Sequence, residues 1–113
     1  MCVFCKIVKG EIPAKVVYED DLIMAFHDIR PQRKVHVLVI PKKHIESLNH
    51  LTEEDKEIMG HLVVKIPEIA KRLGIAEDGY RVIVNTGNHG GQEIYHIHFH
   101  ILGGEPVGPM TCS

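Results

Sequence analysis

No apolar run in this chain approaches the ~20 residues needed to cross a bilayer, so a spanning helix is excluded, and no signal peptide is expected at its start. Charge of one sign is missing too. Lys and Arg total 13 against 15 Asp and Glu, a net charge of −2 with histidines neutral. That balance argues against a nucleic-acid groove or an anionic membrane surface. Cysteine is scarce and odd in number: Cys2 and Cys5 lie in one short motif and Cys112 near the end. Three cysteines so placed do not make a secreted disulfide framework, and a reducing, cytoplasmic setting is expected. Repeats, linkers and low-complexity tracts are absent as well. One domain spanning residues 1–113 is expected, with 105–113 as a C-terminal arm punctuated by Pro and Gly. What the chain has in excess is histidine, nine residues of 113.

The rest reads as an α+β domain: a five-stranded antiparallel sheet with one long and one short helix, both expected on one side. Residues 2 to 9 form the short helix, stopped by Gly10 and Pro13. "KVVYEDDLIMAFHDI" makes two strands around a turn at Glu19-Asp20-Asp21. "KVHVLVIP" is apolar on both faces except at His36, which predicts a central strand. Thr52 begins the long helix with Glu53, Glu54 and Asp55 at its positive end. Ile58, Leu62, Ile66, Ile69 and Leu73 form its apolar stripe, with a kink expected at Pro67 and a stop at Gly74. "YRVIVNT" and "EIYHIHFHIL" are read as a hairpin joined by "GNHGGQ". Tyr95, Ile97, Phe99 and Ile101 should then pack under the long helix.

His96, His98 and His100 occupy alternate positions of that last strand, so they point the same way at spacings of roughly 6–7 Å. Burying three unsatisfied imidazoles would be costly, and a solvated strand face would favour cheaper polar residues. Two functional readings remain. His-x-His on a strand can hold zinc, which would make a metal hydrolase. Alternatively, a neutral imidazole attacks phosphorus when its other nitrogen donates a hydrogen bond that fixes the tautomer. The preceding loop favours the second. Gly87, Gly90 and Gly91 let backbone N–H groups turn toward an anion, and Asn85 and Gln92 add amides.

His96-Ile97-His98-Phe99-His100-Ile101-Leu102 resembles the His-x-His-x-His-x-x signature of the histidine triad (HIT) superfamily. "FHDIRPQRKVHVLVIPKKHI", "GYRVIVNTGNHGGQ" and "YHIHFHILGG" extend the likeness to nearly the whole chain and to its Hint branch, the nucleoside phosphoramidate hydrolases. The resemblance implies a HIT-like fold whose two sheets join into one ten-stranded sheet in a homodimer. It implies a nucleotide-binding hydrolase, a phosphoramidase cleaving the P–N bond of purine nucleoside 5′-phosphoramidates, with AMP or GMP joined to an amine. His98 would be the nucleophile and carry a nucleotidyl-imidazole. The carbonyl of His96 would orient its ring, and His100 with His36 would complete the acid/base surroundings. Asp28 aligns with the carboxylate that binds the ribose. Phe4, Ile7, Ile12, Phe26, His27 and Leu38 match positions around the base, while Asn85, Gly91 and Gln92 would hold phosphate.

The chain departs from many Hint proteins at Glu93, where they carry serine. That carboxylate would either donate a proton to the leaving amine or face solvent. A dinucleoside polyphosphate hydrolase and a nucleotide-binding regulator with weak hydrolysis are the alternatives. Cys2-x-x-Cys5 has the spacing of half a zinc site. Relatives with such a motif bind zinc through both thiolates, a "PKKH" histidine and the first triad histidine, which correspond to Cys2, Cys5, His44 and His96. Four protein ligands would close the shell and make the zinc structural, with no catalytic metal required.

Overall fold

The computed structural model describes residues 2–111; Cys112 lies outside them. Five strands form one antiparallel sheet in the order β1-β2-β3-β5-β4. They are β1 (Val16–Glu19), β2 (Ile23–His27), β3 (Val35–Pro41), β4 (Arg81–Val84) and β5 (Phe99–Gly103). β3 is central and is buried from His36 to Pro41, as its two-sided apolarity predicts.

A strand apolar on both faces needs a cover on each, and that corrects the expectation of helices on one side. The long helix α2 (Lys56–Arg72) lies on one face, where Leu62, Ile66 and Ile69 meet Ile23, Ala25, Val37 and Val39. The short helix α1 (Val3–Val8) covers the other, where Phe4 packs with Met24, Phe26, Leu38 and Ile40. Side-chain alternation along β2 and β3 feeds these two clusters in turn. α2 is entered through a tight turn at Glu53–Asp55, carries Pro67 inside it, and ends before Gly74, whose φ of 74° suits glycine. Buried Asp55 accepts the Thr52 backbone N–H at 2.9 Å and the Lys43 ammonium at 2.7 Å, tying the helix entry to the segment after β3.

β5 is shorter than "EIYHIHFHIL" predicts. Its ladders end where Phe99 faces Val39 on one side and Val84 on the other. Upstream of Phe99 neither ladder continues, although β3 itself runs on to Pro41, and the Ile97 N–H donates instead to the Ile45 carbonyl at 2.6 Å. The β4–β5 connection therefore spans 85–98 rather than a tight turn. Ile97, Phe99 and Ile101 pack under α2, whereas Tyr95 is 45% exposed and does not join them. Beyond β5, residues 105–111 carry no regular element. Arg33 Nη2 donates to the Val107 carbonyl at 2.6 Å and Arg81 Nη2 to that of Gly108 at 2.8 Å. Among the described residues no helix is long and apolar enough to cross a membrane.

The turn between β1 and β2 is latched to α2 by Asp20. Its carboxylate accepts N–H groups of Leu22 and Ile23 at 2.8 and 3.0 Å, the Tyr18 hydroxyl at 2.8 Å and the His61 ring at 2.6 Å. Partial burial works against the ionised form, but these donors outweigh it and hold Asp20 well below the usual carboxylate range. Asp20→Ala, which leaves all four donors without their acceptor, should lower unfolding free energy by about 2 kcal/mol in urea titration. Glu53→Gln, at an exposed ion pair with Lys56, should change it by less than about 0.5 kcal/mol.

Candidate functional site

α1, the ends of β2 and β3, and the β4–β5 connection enclose a cleft of about 1250 Å³. Phe4, Phe26 and Leu38 make an apolar floor, extended by Ile7 and Ile12; His27 sits at its edge. Asp28, His36, His98 and His100 bring the polar groups, and Asn85, Gly91 and Glu93 form the wall on the β4–β5 side. Of the residues expected around a nucleotide, Gln92 alone is not in this lining. It is buried, with its amide donating to the carbonyls of Glu46 and Ile94 at 2.6 and 3.1 Å and accepting the Gly87 N–H at 3.0 Å. Gln92 thus braces the loop instead of facing a ligand.

The glycines of that loop also differ from expectation. The Gly87 N–H is taken by Gln92, and the Gly91 N–H donates to the Asn88 carbonyl at 3.1 Å, so neither is aimed at an anion. Their use is conformational: φ is 72° at Gly87 and 81° at Gly91.

The histidines are fixed by groups that can act only as donor or only as acceptor. His98 Nδ1 lies 2.8 Å from the His96 carbonyl, so it must carry the proton and donate. In the neutral ring, Nε2 is left with a free lone pair. His36 Nδ1 accepts the Gln32 backbone N–H at 3.0 Å, so the His36 proton sits on Nε2. From there it is donated to His100 Nδ1 at 2.8 Å, with the Asp28 carboxylate 3.4 Å away. His100 is then protonated at Nε2, a donor for the cleft. The Phe4 ring stands edge-on to His98 at 5.2 Å, and the His98 and His100 rings are 5.0 Å apart. Sequence reasoning missed the part played by Gln32, because a backbone N–H leaves no signature in residue type.

Burial is the main force on these rings. It pushes His100 down to about 4, assisted by His98 and His36 and opposed by Asp28. It lowers His36 as well, opposed by Asp28 and assisted by His98. Both are therefore neutral in neutral solution.

The three triad histidines do not converge on one point, which removes the three-histidine metal reading. His96 turns away: its Nε2 donates to the Pro41 carbonyl at 2.7 Å, leaving Nδ1 to face the thiols. That Nδ1 is 3.4 Å from Cys2 Sγ, 3.6 Å from Cys5 Sγ and 3.3 Å from His44 Nδ1, and Cys5 Sγ is 3.3 Å from His44 Nδ1. Tetrahedral zinc with bonds of ~2.3 Å to sulfur and ~2.0–2.1 Å to nitrogen sets its ligand atoms roughly 3.3–3.8 Å apart. The four groups fit such an ion, and the Pro41 carbonyl is the outer partner that orients a ligating imidazole. Burial and the neighbouring Cys2 push the Cys5 thiol up, so a cation is what would make this donor set favourable. Asp28, His36 and His100 also cluster, but the proton that Gln32 places on His36 Nε2 occupies the lone pair a metal would need.

The HIT domain model matches residues 9–107. The purine nucleoside phosphoramidase of Escherichia coli K12 is 51% identical over 110 residues, covering 97% of this chain and 92% of that one. A HIT family hydrolase from Legionella pneumophila superposes with a TM-score of 0.92 at 48% identity, covering 96% of each chain. A histidine triad protein from Clostridium difficile gives 0.93 at 46% identity, covering 97% of this chain and 96% of that one.

The depressed imidazoles make stability acid-sensitive. The unfolded chain takes up protons near the ordinary histidine value of 6.5, the folded chain only near about 4 at His100, so stability falls as pH drops across that window. Melting temperature should decline from pH 6.5 to 4, and His100→Gln should show a shallower decline, by up to about 3 kcal/mol over the window. An equal slope in the variant would locate the acid sensitivity elsewhere.

Proposed function

Because the chain belongs to the HIT domain family, we infer that it is a purine nucleoside phosphoramidase, a hydrolase that cleaves the P–N bond between a purine nucleotide and an amine. The observation that carries the mechanism is the hydrogen bond from His98 Nδ1 to the His96 carbonyl, which leaves Nε2 as a nucleophile in the cleft.

In this reading the purine lies on the apolar floor of Phe4, Phe26 and Leu38, flanked by Ile7, Ile12 and His27. The ribose hydroxyls meet Asp28, whose Oδ1 is already held by the Arg30 N–H at 2.8 Å. His98 Nε2 attacks the α-phosphorus, a P–N(His98) bond forms as the P–N(amine) bond breaks, and the amine leaves with the bonding pair. The His96 carbonyl supports the positive charge that develops on the His98 ring. His100 Nε2–H, backed by His36, donates to a phosphoryl oxygen or to the leaving nitrogen, which takes up a proton. Water then attacks the nucleotidyl-His98 phosphorus, loses a proton, and releases nucleoside monophosphate with His98 restored. Asn85 supplies an amide on the phosphate side, and Gln92 keeps the loop in place.

Cys2, Cys5, His44 and His96 would hold a structural zinc, which would cross-link α1, the segment after β3 and the segment preceding β5. Retention of both thiols suits a reducing, cytoplasmic compartment. A homodimer belongs to the same reading. β4 is an edge strand with Val82 40% exposed, and antiparallel pairing of two such edges would continue one sheet through ten strands.

Two measurements test this. Wild-type protein should release AMP from adenosine 5′-phosphoramidate with chelator present, and His98→Asn should be slower by about 10³-fold or more. Activity lost with chelator but kept in the variant would refute the histidine nucleophile. Elemental analysis should find one zinc per chain in wild type and little in Cys2→Ser or Cys5→Ser, with a lower melting temperature in both variants. Equal zinc in all three would discard the four-ligand assignment.

A further inference from the structure

We propose that Glu93 selects the leaving group, favouring phosphoramidates whose amine part carries a second, positive charge beyond the scissile bond. This rests on the phosphoramidase reading and extends it to the half of the substrate that the nucleotide pocket does not recognise.

The position of Glu93 is what singles it out. It lines the cleft from the β4–β5 connection, and its carboxylate makes no hydrogen bond or ion pair among the described residues. A free acid is unexpected on the wall of a site that must accept a phosphoryl group, since like charges repel. It is also not free to swing away with its backbone. Gln92 on one side is locked to Glu46, Gly87 and Ile94, and the Ile94 carbonyl on the other side accepts the same amide. The chain flanking Glu93 is thus pinned at both neighbours.

The sheet order then says which part of a substrate meets it. The cationic residues of the lining, Lys15 and Arg30, flank β1 and β2. With strands ~4.8 Å apart, β2 and β1 lie roughly 10 and 14 Å from β5. The apolar floor and Asp28 draw base and ribose toward that β1–β2 side, and Asp28 faces His36 at 3.4 Å. Phosphorus sits at His98, and the part of the amine beyond the scissile nitrogen is left the remaining wall of the cleft. That wall is the β4–β5 connection, and Glu93 is its one acidic residue in the cleft. A solvent-facing carboxylate on that pinned backbone attracts a distal ammonium and repels a distal carboxylate, with strength reduced by salt.

The test uses three phosphoramidates of AMP with amines of matched length: putrescine, which leaves a free ammonium, butylamine, which is neutral, and γ-aminobutyrate, which leaves a carboxylate. Wild-type kcat/KM should rank them in that order, with cation over neutral by about fivefold at low salt and less at high salt. In Glu93→Gln the ratio should fall close to one, and in Glu93→Lys the order should invert. An unchanged ratio in both variants overturns the proposal while the phosphoramidase reading stands. Failure of the wild type to cleave any of the three overturns that reading, and this proposal with it.

Discussion

One carbonyl governs the chemistry of this protein. The oxygen of His96 accepts the His98 Nδ1 proton at 2.8 Å, and that single contact decides which nitrogen of the imidazole offers a lone pair to the cleft. A carbonyl cannot donate, so the tautomer is dictated rather than chosen. The carbonyl is itself held in place by its own residue's side chain, whose Nε2 is bonded to Pro41 and whose Nδ1 points into the thiol cage. Backbone and side chain of one residue therefore do two jobs in opposite directions. Moving His96 would disturb the His98 tautomer and the thiol cage together.

The His36–His100 pair follows the same logic from the other end. A backbone N–H of Gln32, which can only donate, starts a chain of fixed proton positions that ends at His100 Nε2. Burial keeps both rings neutral, so the order of donors and acceptors survives without compensating charge. A lone pair on His98 and an N–H on His100 thus reach the cleft with opposite polarity on rings 5.0 Å apart. That polarity comes from the peptide backbone, which does not vary with side-chain identity.

Much of this was legible in the residues. The stripe from Ile58 to Leu73 located α2, and "VHVLVIP" located the central strand, because burial on both faces leaves no polar alternation. The histidine row was visible for a similar reason: alternate residues share a face even where the ladder stops. What the residues hid was where the ladder stops. "EIYHIHFHIL" alternates as a strand throughout, yet β4 ends at Val84, and β3, which runs on to Pro41, gives that carbonyl to the His96 ring; both are properties of the partners. The side of the sheet that α1 covers was hidden likewise, since six residues carry no periodicity strong enough to choose. Gln92 looked like a phosphate ligand because an amide beside glycines has the same chemistry whether it faces an anion or a carbonyl.

α1 is six residues long, too short to be stable by itself, and its order comes from what it touches. Its thiols belong to the cage and its Phe4 belongs to the floor of the cleft, within one turn of each other. Phe4 packs on Met24, Phe26, Leu38 and Ile40, so those four side chains, acting through one short helix, set where Cys2 and Cys5 stand as well as where the floor of the cleft lies.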